Sequence, residues 1–110
     1  FYNLKNNSKL LQEEIFGPIL SCIEYSDINE AIKIANNSQY GLASSIWSNN
    51  FEEIHYVSNL VEAGIIHINS YGEDGINIPF GGIKNSGFGR DKSIFAFQEY
   101  TYIKSIVYKR

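Results

Sequence analysis

The stretch LASSIWSNNFEEIHYVSNLVEAGIIHIN, residues 42–69, decides the fold class of this 110-residue chain. Residues 42–47 and 65–69 each predict a strand, because both are short segments with apolar residues and are bounded by turn-forming residues. Between them, Asn50 and Glu53 have the spacing of a capping box, which predicts the start of a helix. The stretch therefore predicts a strand–helix–strand unit.

A similar unit precedes this stretch. Residues 19–25 predict a strand between Pro18 and a turn. Asp27 and Glu30 repeat the capping-box spacing, and the helix that follows has its apolar residues on one face. That face comprises Ile28, Ala31, Ile32 and Ala35. The alternation of strands and helices predicts an α/β fold, with flanking helices on a largely parallel sheet.

The remaining third of the chain has a different character. Residues 70–90 form a long glycine-rich segment, and loops of this length in compact domains are more often functional than idle. A short helix is predicted over 92–100. Residues 103–108 are β-branched and aromatic, which predicts a terminal strand. The expected organisation is one body, 1–100, followed by a tail strand within 101–110.

Composition narrows the function classes. Hydrophobic residues make up 44% of the chain and the net charge is −3, so we expect a globular protein without a nucleic-acid footprint. No apolar run approaches the roughly 20 residues of a membrane span. Cys22 is the only cysteine, which excludes an intrachain disulfide and a thiolate metal cluster. We predict that it is a buried structural residue. Neither His55 nor His67 has an acidic partner at metal-ligand or triad spacing, and no metal site is predicted.

Five motifs follow one another along almost the whole chain. They are EEIFGP at 13–18, IANNSQYGLA at 34–43, AGIIHIN at 63–69, PFGGIKNSGFGR at 79–90 and EYTYIK at 99–104. In this order they resemble the aldehyde dehydrogenase superfamily. The resemblance implies that the chain is the C-terminal part of the catalytic domain, with a tail strand that serves oligomerisation.

The resemblance also implies a reaction. Such enzymes oxidise an aldehyde to a carboxylic acid with NAD or NADP, through a cysteine thiohemiacetal and thioester and with a glutamate that activates water. In the family these two groups precede the segment that begins here, so no catalytic residue is assigned. The chain starts at Phe1 without a Met, and we expect a fragment whose partner is the missing N-terminal part of the same enzyme.

The same resemblance gives expected roles to five residues. Glu14 corresponds to the ligand of the nicotinamide ribose hydroxyls, and Phe16 to the ring near the nicotinamide; the alternatives are a surface acid and a core phenylalanine. Phe80 corresponds to the wall of the aldehyde tunnel, or else packs in its loop. Asp74 and Glu73 lie at the expected substrate mouth, where they favour a cationic aldehyde or are simply exposed turn acids.

The tail and the cellular location complete the expectations. The resemblance implies a cytoplasmic homo-oligomer in which the C-terminal strand pairs with a sheet of a neighbouring subunit. Tyr102 stands where many members have a glutamate that supports an intersubunit ion pair, so that contact is not expected here. The alternative function is a non-catalytic remnant or an interaction module derived from an aldehyde dehydrogenase.

Overall fold

The computed structural model describes residues 1–72 and 74–110. Four helices and four strands occur in this part of the chain. In order they are α1 (Lys9–Gln12), α2 (Ile28–Asn36), β1 (Tyr40–Gly41), β2 (Ala43–Ile46), α3 (Phe51–Leu60), β3 (Ile65–Ile68), β4 (Ile83–Lys84) and α4 (Ala96–Glu99).

The two predicted helix starts are confirmed, and side chains make both caps. Asp27 accepts a hydrogen bond from the Glu30 amide at 3.0 Å, which begins α2. The Glu30 carboxylate does not return to Asp27; it accepts bonds from the Ser26 amide and hydroxyl at 2.7 and 2.6 Å. Asn50 accepts from the amides of both Glu52 and Glu53, at 3.0 and 3.3 Å, and begins α3. These bonds satisfy amides that the first helical turn leaves free.

Strands β2 and β3 are parallel neighbours joined through α3, which confirms the unit predicted from residues 42–69. The register runs from Ala43 opposite Ile65 to Ile46 opposite Ile68. Asn69 closes the unit: its side chain accepts from the Ser48 amide and donates to the Ser48 carbonyl, both at 2.9 Å. Helix α3 thus connects two strands whose backbones are hydrogen-bonded to each other.

A second, antiparallel pair joins β1 to β4, with Gly41 opposite Ile83. A Cβ on Gly41 would lie 2.7 Å from Cγ1 of Ile83 and 2.9 Å from the carbonyl oxygen of Glu62. Glycine is therefore required by close approach rather than by an unusual φ. The segment 70–90, expected to be a loop throughout, contains β4 and part of a β-bridge that joins Phe80 to Asp91.

Two predictions about secondary structure are wrong in this structure, and a third holds only in part. Residues 19–25 form no strand, residues 103–108 form no strand, and the helix expected over 92–100 is reduced to α4. Apolar β-branched residues become a strand only when another backbone lies within hydrogen-bonding reach. Within the described residues, the backbone of 19–25 bonds to another segment only at Phe1, which exchanges bonds of 2.7 Å with Leu20 and Cys22. The Ser21 hydroxyl donates to the Leu10 carbonyl at 3.1 Å.

The sheet prediction needs the same correction. The described residues form two separate two-stranded sheets, one parallel and one antiparallel, instead of a single largely parallel sheet. Cys22 was predicted to be a buried structural residue, but it is exposed. The reason is common to both errors, since the segment 19–25 that would extend the sheet does not pair with it.

Few side chains are fully enclosed. The buried hydrophobic core of the described residues consists of Ile32. The radius of gyration is 18.4 Å, whereas a compact domain of this length has about 13 Å. Much of the apolar surface is therefore available for contact with other protein. No helix of the described residues has the length and apolar character to cross a membrane.

Candidate cofactor and substrate site

Glu14 lies at the edge of an open cleft of about 560 Å³. The cleft is also lined by Tyr40 and Leu42 from the β1–β2 region, by Ala63 and by Ser86. Glu14 follows α1 on an irregular segment, and its carboxylate is exposed. An exposed carboxylate at a cleft of this size has both oxygens free to accept hydrogen bonds from a ligand.

Hydrogen bonds between two of the motifs hold together segments that line this cleft. Ser86 Oγ accepts from the Gly41 amide at 3.0 Å. The Asn85 amide donates to the Gln39 carbonyl at 2.9 Å, and their side-chain amides bond at 3.0 Å. Lys84 adds a bond of 2.9 Å to the Asn36 carbonyl. The motifs at 34–43 and 79–90, far apart in sequence, therefore form one structural unit.

Phe16 lies on the same exposed segment as Glu14. Its ring is 92% exposed. The backbone around it turns tightly, because the Gly17 amide bonds to the Ile15 carbonyl at 2.9 Å and the Ile19 amide bonds to the Gly17 carbonyl at 2.8 Å. The expectation of a core phenylalanine does not hold for this chain, and the ring is free to pack against a ligand or another protein segment.

Phe80 lies in a neighbouring cleft of about 370 Å³. Its backbone exchanges two hydrogen bonds with Asp91, at 2.8 and 2.7 Å, which form an isolated β-bridge. Leu42 and Ser86 line this cleft as well as the cleft of Glu14. The structure thus brings the predicted cofactor residue and the predicted substrate residue to adjoining clefts with a shared wall.

Close backbone approach explains the glycines of two motifs. A Cβ on Gly64 would overlap the Gly81 carbonyl oxygen, and a Cβ on Gly81 would overlap the Gly89 carbonyl oxygen. Arg90 ties the same layer together by donating from Nη1 to the Gly82 and Gly89 carbonyls at 2.9 and 2.6 Å. The glycines therefore let the loop that carries Phe80 pack directly on the end of the β2–β3 unit.

Asp74 is neither free nor an exposed turn acid. Its side chain is 7% exposed, and Oδ1 lies 3.2 Å from His67 Nε2 while Oδ2 lies 2.5 Å from Lys92 Nζ. The hydrogen bond from Lys92, followed by that from His67, lowers the pKa of Asp74. The sequence shows no acidic partner of His67 at metal-ligand or triad spacing, and the fold supplies Asp74 as one. The seven-residue separation matches neither of the spacings considered, and only the fold closes it.

Lys92 is a residue beside Asp74 and Phe80 that the sequence did not single out. It precedes the short helix α4 and, besides pairing with Asp74, places Nζ 5.5 Å from the centroid of the Phe80 ring. It lies 18 positions from Asp74, so neither helical nor strand periodicity links them. Glu73, predicted beside Asp74, lies outside the described residues. Within 1–72 and 74–110, no group of three or more metal-ligating side chains is present.

An α/β unit with two adjoining open clefts agrees with the family comparison. The model of the aldehyde dehydrogenase family matches residues 1–106. The chain belongs to the aldehyde dehydrogenase family.

Individual relatives agree with this assignment. The chain is 46% identical to the aminoacetaldehyde dehydrogenase of Pseudomonas aeruginosa over 101 residues, which cover 91% of this chain and 20% of the relative. It is 39% identical to the NADP/NAD-dependent aldehyde dehydrogenase PuuC of Escherichia coli, over 96% of this chain and 21% of the relative. The chain thus spans about a fifth of the length of the curated relatives it matches.

Solved structures give the same result. The indole-3-acetaldehyde dehydrogenase AldA of P. syringae, as a C302A mutant in complex with NAD⁺ and IAA, superposes with a TM-score of 0.90 at 43% identity. The match covers 96% of this chain and 21% of AldA. The aldehyde dehydrogenase KauB from P. aeruginosa gives 0.90 at 45% identity, over 94% and 21% of the two chains. The local arrangement of motifs is therefore that of these enzymes.

Proposed function

We propose that the chain supplies part of the cofactor and substrate site of an NAD(P)⁺-dependent aldehyde dehydrogenase, which oxidises an aldehyde to a carboxylic acid through a cysteine thiohemiacetal and thioester. The observation that carries the proposal is the pair of adjoining clefts, one bordered by Glu14 and the other lined by Phe80, with Leu42 and Ser86 in both. Hydride transfer requires the nicotinamide and the aldehyde carbon to lie next to each other, as such clefts allow.

Glu14 and Phe16 are the proposed cofactor contacts. The Glu14 carboxylate accepts hydrogen bonds from the two vicinal hydroxyls of the nicotinamide ribose, which suits a carboxylate because it has only acceptors. The exposed Phe16 ring packs near the nicotinamide. The chemistry that bound NAD⁺ or NADP⁺ supplies is acceptance of the hydride. PuuC is named as NADP/NAD-dependent and AldA was crystallised with NAD⁺, which supports either nucleotide.

Phe80 and Asp74 are the proposed residues of the substrate side. The Phe80 ring forms an apolar wall that limits water near the thiohemiacetal and near the thioester that forms when the hydride leaves, so that hydrolysis waits for the water that the glutamate activates. Asp74 is proposed to act at the mouth of the substrate site, where its partner Lys92 lies over the Phe80 ring. The name of the P. aeruginosa relative, an aminoacetaldehyde dehydrogenase, supports a small aldehyde that can carry an amino group.

The proposed nucleophile and general base come from outside these residues. A thiol that attacks the aldehyde must face both clefts, and Cys22 lines neither of them. The relatives contain about four-fifths of their length beyond the matched segment, which is where the proposal places the cysteine, the glutamate and the rest of the cofactor site. The partner of this chain is therefore that N-terminal part of the same enzyme.

The tail is the proposed oligomerisation element, in a cytoplasmic enzyme. Residues 101–110 have no regular secondary structure and are exposed; Ile103 is 98% and Val107 91% exposed. Such an apolar, β-branched segment gains from pairing with a sheet edge of a second copy, because both its backbone groups and its side chains are then satisfied. A homo-oligomer through this strand is the arrangement we propose.

The experiment is an exchange of segments. Residues 1–106 replace the matching segment of E. coli PuuC, and NAD(P)⁺ reduction is measured with a panel of aldehydes. We expect a folded chimera that oxidises aldehydes, whereas the isolated chain turns over none. A chimera with native-like circular dichroism and no turnover would contradict the proposal and favour the alternative, a non-catalytic interaction module.

A further inference from the structure

The Asp74 carboxylate already has hydrogen-bond partners within the protein. Both of its oxygens have partners, His67 Nε2 at 3.2 Å and Lys92 Nζ at 2.5 Å, and its side chain is 7% exposed. The Lys92 side chain is 36% exposed, and His67 is a buried residue of β3. A cationic substrate would therefore have to displace Lys92 before it could pair with Asp74.

Lys92 connects this carboxylate to Phe80. Its Nζ atom lies 5.5 Å from the centroid of the Phe80 ring, within the range of a cation–π contact. One ammonium group therefore touches both the acid that is anchored to β3 and the aromatic wall of the substrate cleft. Any movement of Lys92 changes the surroundings of Phe80 directly.

The backbone around Lys92 is strained and needs to be held. Lys92 and Ser93 have φ values of 58° and 53°, in the left-handed region that residues with a side chain rarely adopt. Hydrogen bonds secure this conformation from the opposite segment: Ser93 donates to the Ile76 carbonyl at 2.8 Å, and Phe80 exchanges its two bonds with Asp91. The segments 74–80 and 91–93 are thus clamped together at three levels.

We propose that Asp74 and Lys92 are positioning residues that fix the Phe80 wall of the substrate cleft, rather than groups that recognise a charged aldehyde. The pair ties segment 74–80 to segment 91–93 and to the end of β3 through His67. This inference rests on the proposed function, because Phe80 is a substrate contact only in an aldehyde dehydrogenase.

The test uses the complete enzyme that carries this chain and compares D74N, K92M and K92R. Steady-state kinetics are measured for propanal and 3-aminopropanal, an uncharged and a cationic aldehyde of similar length. We expect D74N and K92M to lower kcat/KM for both substrates by roughly ten- to a hundredfold, because misplaced contacts affect every substrate of the cleft. K92R keeps the charge and should retain most of the activity. K33M, an exposed lysine on α2, is the matched control.

A loss confined to 3-aminopropanal in D74N, with improved binding of that substrate in K92M, would show direct recognition and overturn the inference. If the unsubstituted enzyme reduces no NAD(P)⁺ with any aldehyde, the proposed function itself fails. The two failures are therefore distinguishable.

A second readout does not depend on turnover. Amide hydrogen exchange of Phe80, Asp91 and Ser93 should accelerate by at least about tenfold in D74N and K92M, while the amide of Ile65 in β3 stays protected. Unchanged exchange at these amides in K92M would overturn the inference. So would acceleration throughout the chain in both variants, because the pair would then be a general stabilising element.

Discussion

Residues 42–69 and residues 101–110 carry similar apolar, strand-forming patterns but have opposite fates. In the first region β2 and β3 pair with each other, and the helix between them is capped by Asn50. In the second, residues 103–108 form no strand, and Ile103 is 98% exposed. The difference shows that a strand pattern states only a capacity to pair. A strand also needs a second strand to pair with, and only residues 42–69 contain both strands of a pair.

The largest effect on stability should come from a substitution in residues 42–69 at the point where the loop that carries Phe80 packs against them. In G64A the new Cβ overlaps the Gly81 carbonyl oxygen. We expect a loss of about 3 kcal/mol of stability, since overpacking against backbone cannot be relieved by a rotamer change. Urea denaturation of the chain measures it. The matched control is G17A, because no atom lies within 4 Å of a Cβ at that position.

A smaller effect is expected from the cap inside the first region. N50A removes the acceptor for the Glu52 and Glu53 amides and should cost about 1 kcal/mol. N49A, at the exposed neighbouring position, should change stability by less than about 0.5 kcal/mol. Equal urea midpoints for the two variants would show that the cap does not stabilise α3.

The acid dependence of stability should show the contribution of the bonds that Asp74 accepts from Lys92 and His67. The bonds from Lys92 and His67 lower the pKa of Asp74 from its usual 3.8. Because the folded pKa lies below the unfolded one, the contribution of Asp74 to stability is complete above about pH 4 and is lost as the pH falls through the folded pKa. The Cγ chemical shift of Asp74 should titrate below pH 3.8. A titration midpoint at or above that value would contradict the bonding of Asp74 to Lys92 and His67.

The smallest effect on folding should come from removing the second region. Deletion of 101–110 should change the stability of the chain by less than about 0.5 kcal/mol, because these side chains are exposed. In the PuuC chimera, extended by residues 107–110 so that it carries the whole tail, the same deletion should instead lower the mass of the oligomer. Urea denaturation of the chain and light scattering of the chimera, each with and without the tail, give the comparison. An unchanged oligomer would contradict the proposed role of the tail.

The same contrast explains which features could be predicted from the sequence. Helix starts at Asp27 and Asn50 were predictable, because a capping side chain acts on amides two or three residues away. The strand prediction for 19–25 was wrong because pairing depends on a distant backbone. The parallel pair β2–β3 was predictable because a helix of suitable length connects its strands.

The site divides in the same way. Glu14, Phe16 and Phe80 were predicted through motifs, and Glu14 and Phe80 line adjoining clefts in the structure. Lys92 was missed and the partner of His67 was not recognised, because the cluster around Asp74 joins residues 7 and 18 positions away through a turn and a strained backbone. No local periodicity encodes such a contact.

The central claim is that this chain provides the ribose contact of a nicotinamide cofactor through Glu14. The most direct measurement is KM for NAD⁺ and NADP⁺ in the PuuC chimera with E14Q, compared with E13Q. Glu13 is the matched control, since it is the adjacent carboxylate and its only described ion pair is with Lys9 at 4.0 Å. We expect E14Q to raise KM for the preferred nucleotide by about tenfold, the loss of a charge-assisted hydrogen bond, and E13Q to leave it within about twofold. Equal KM values for the two variants would contradict the claim.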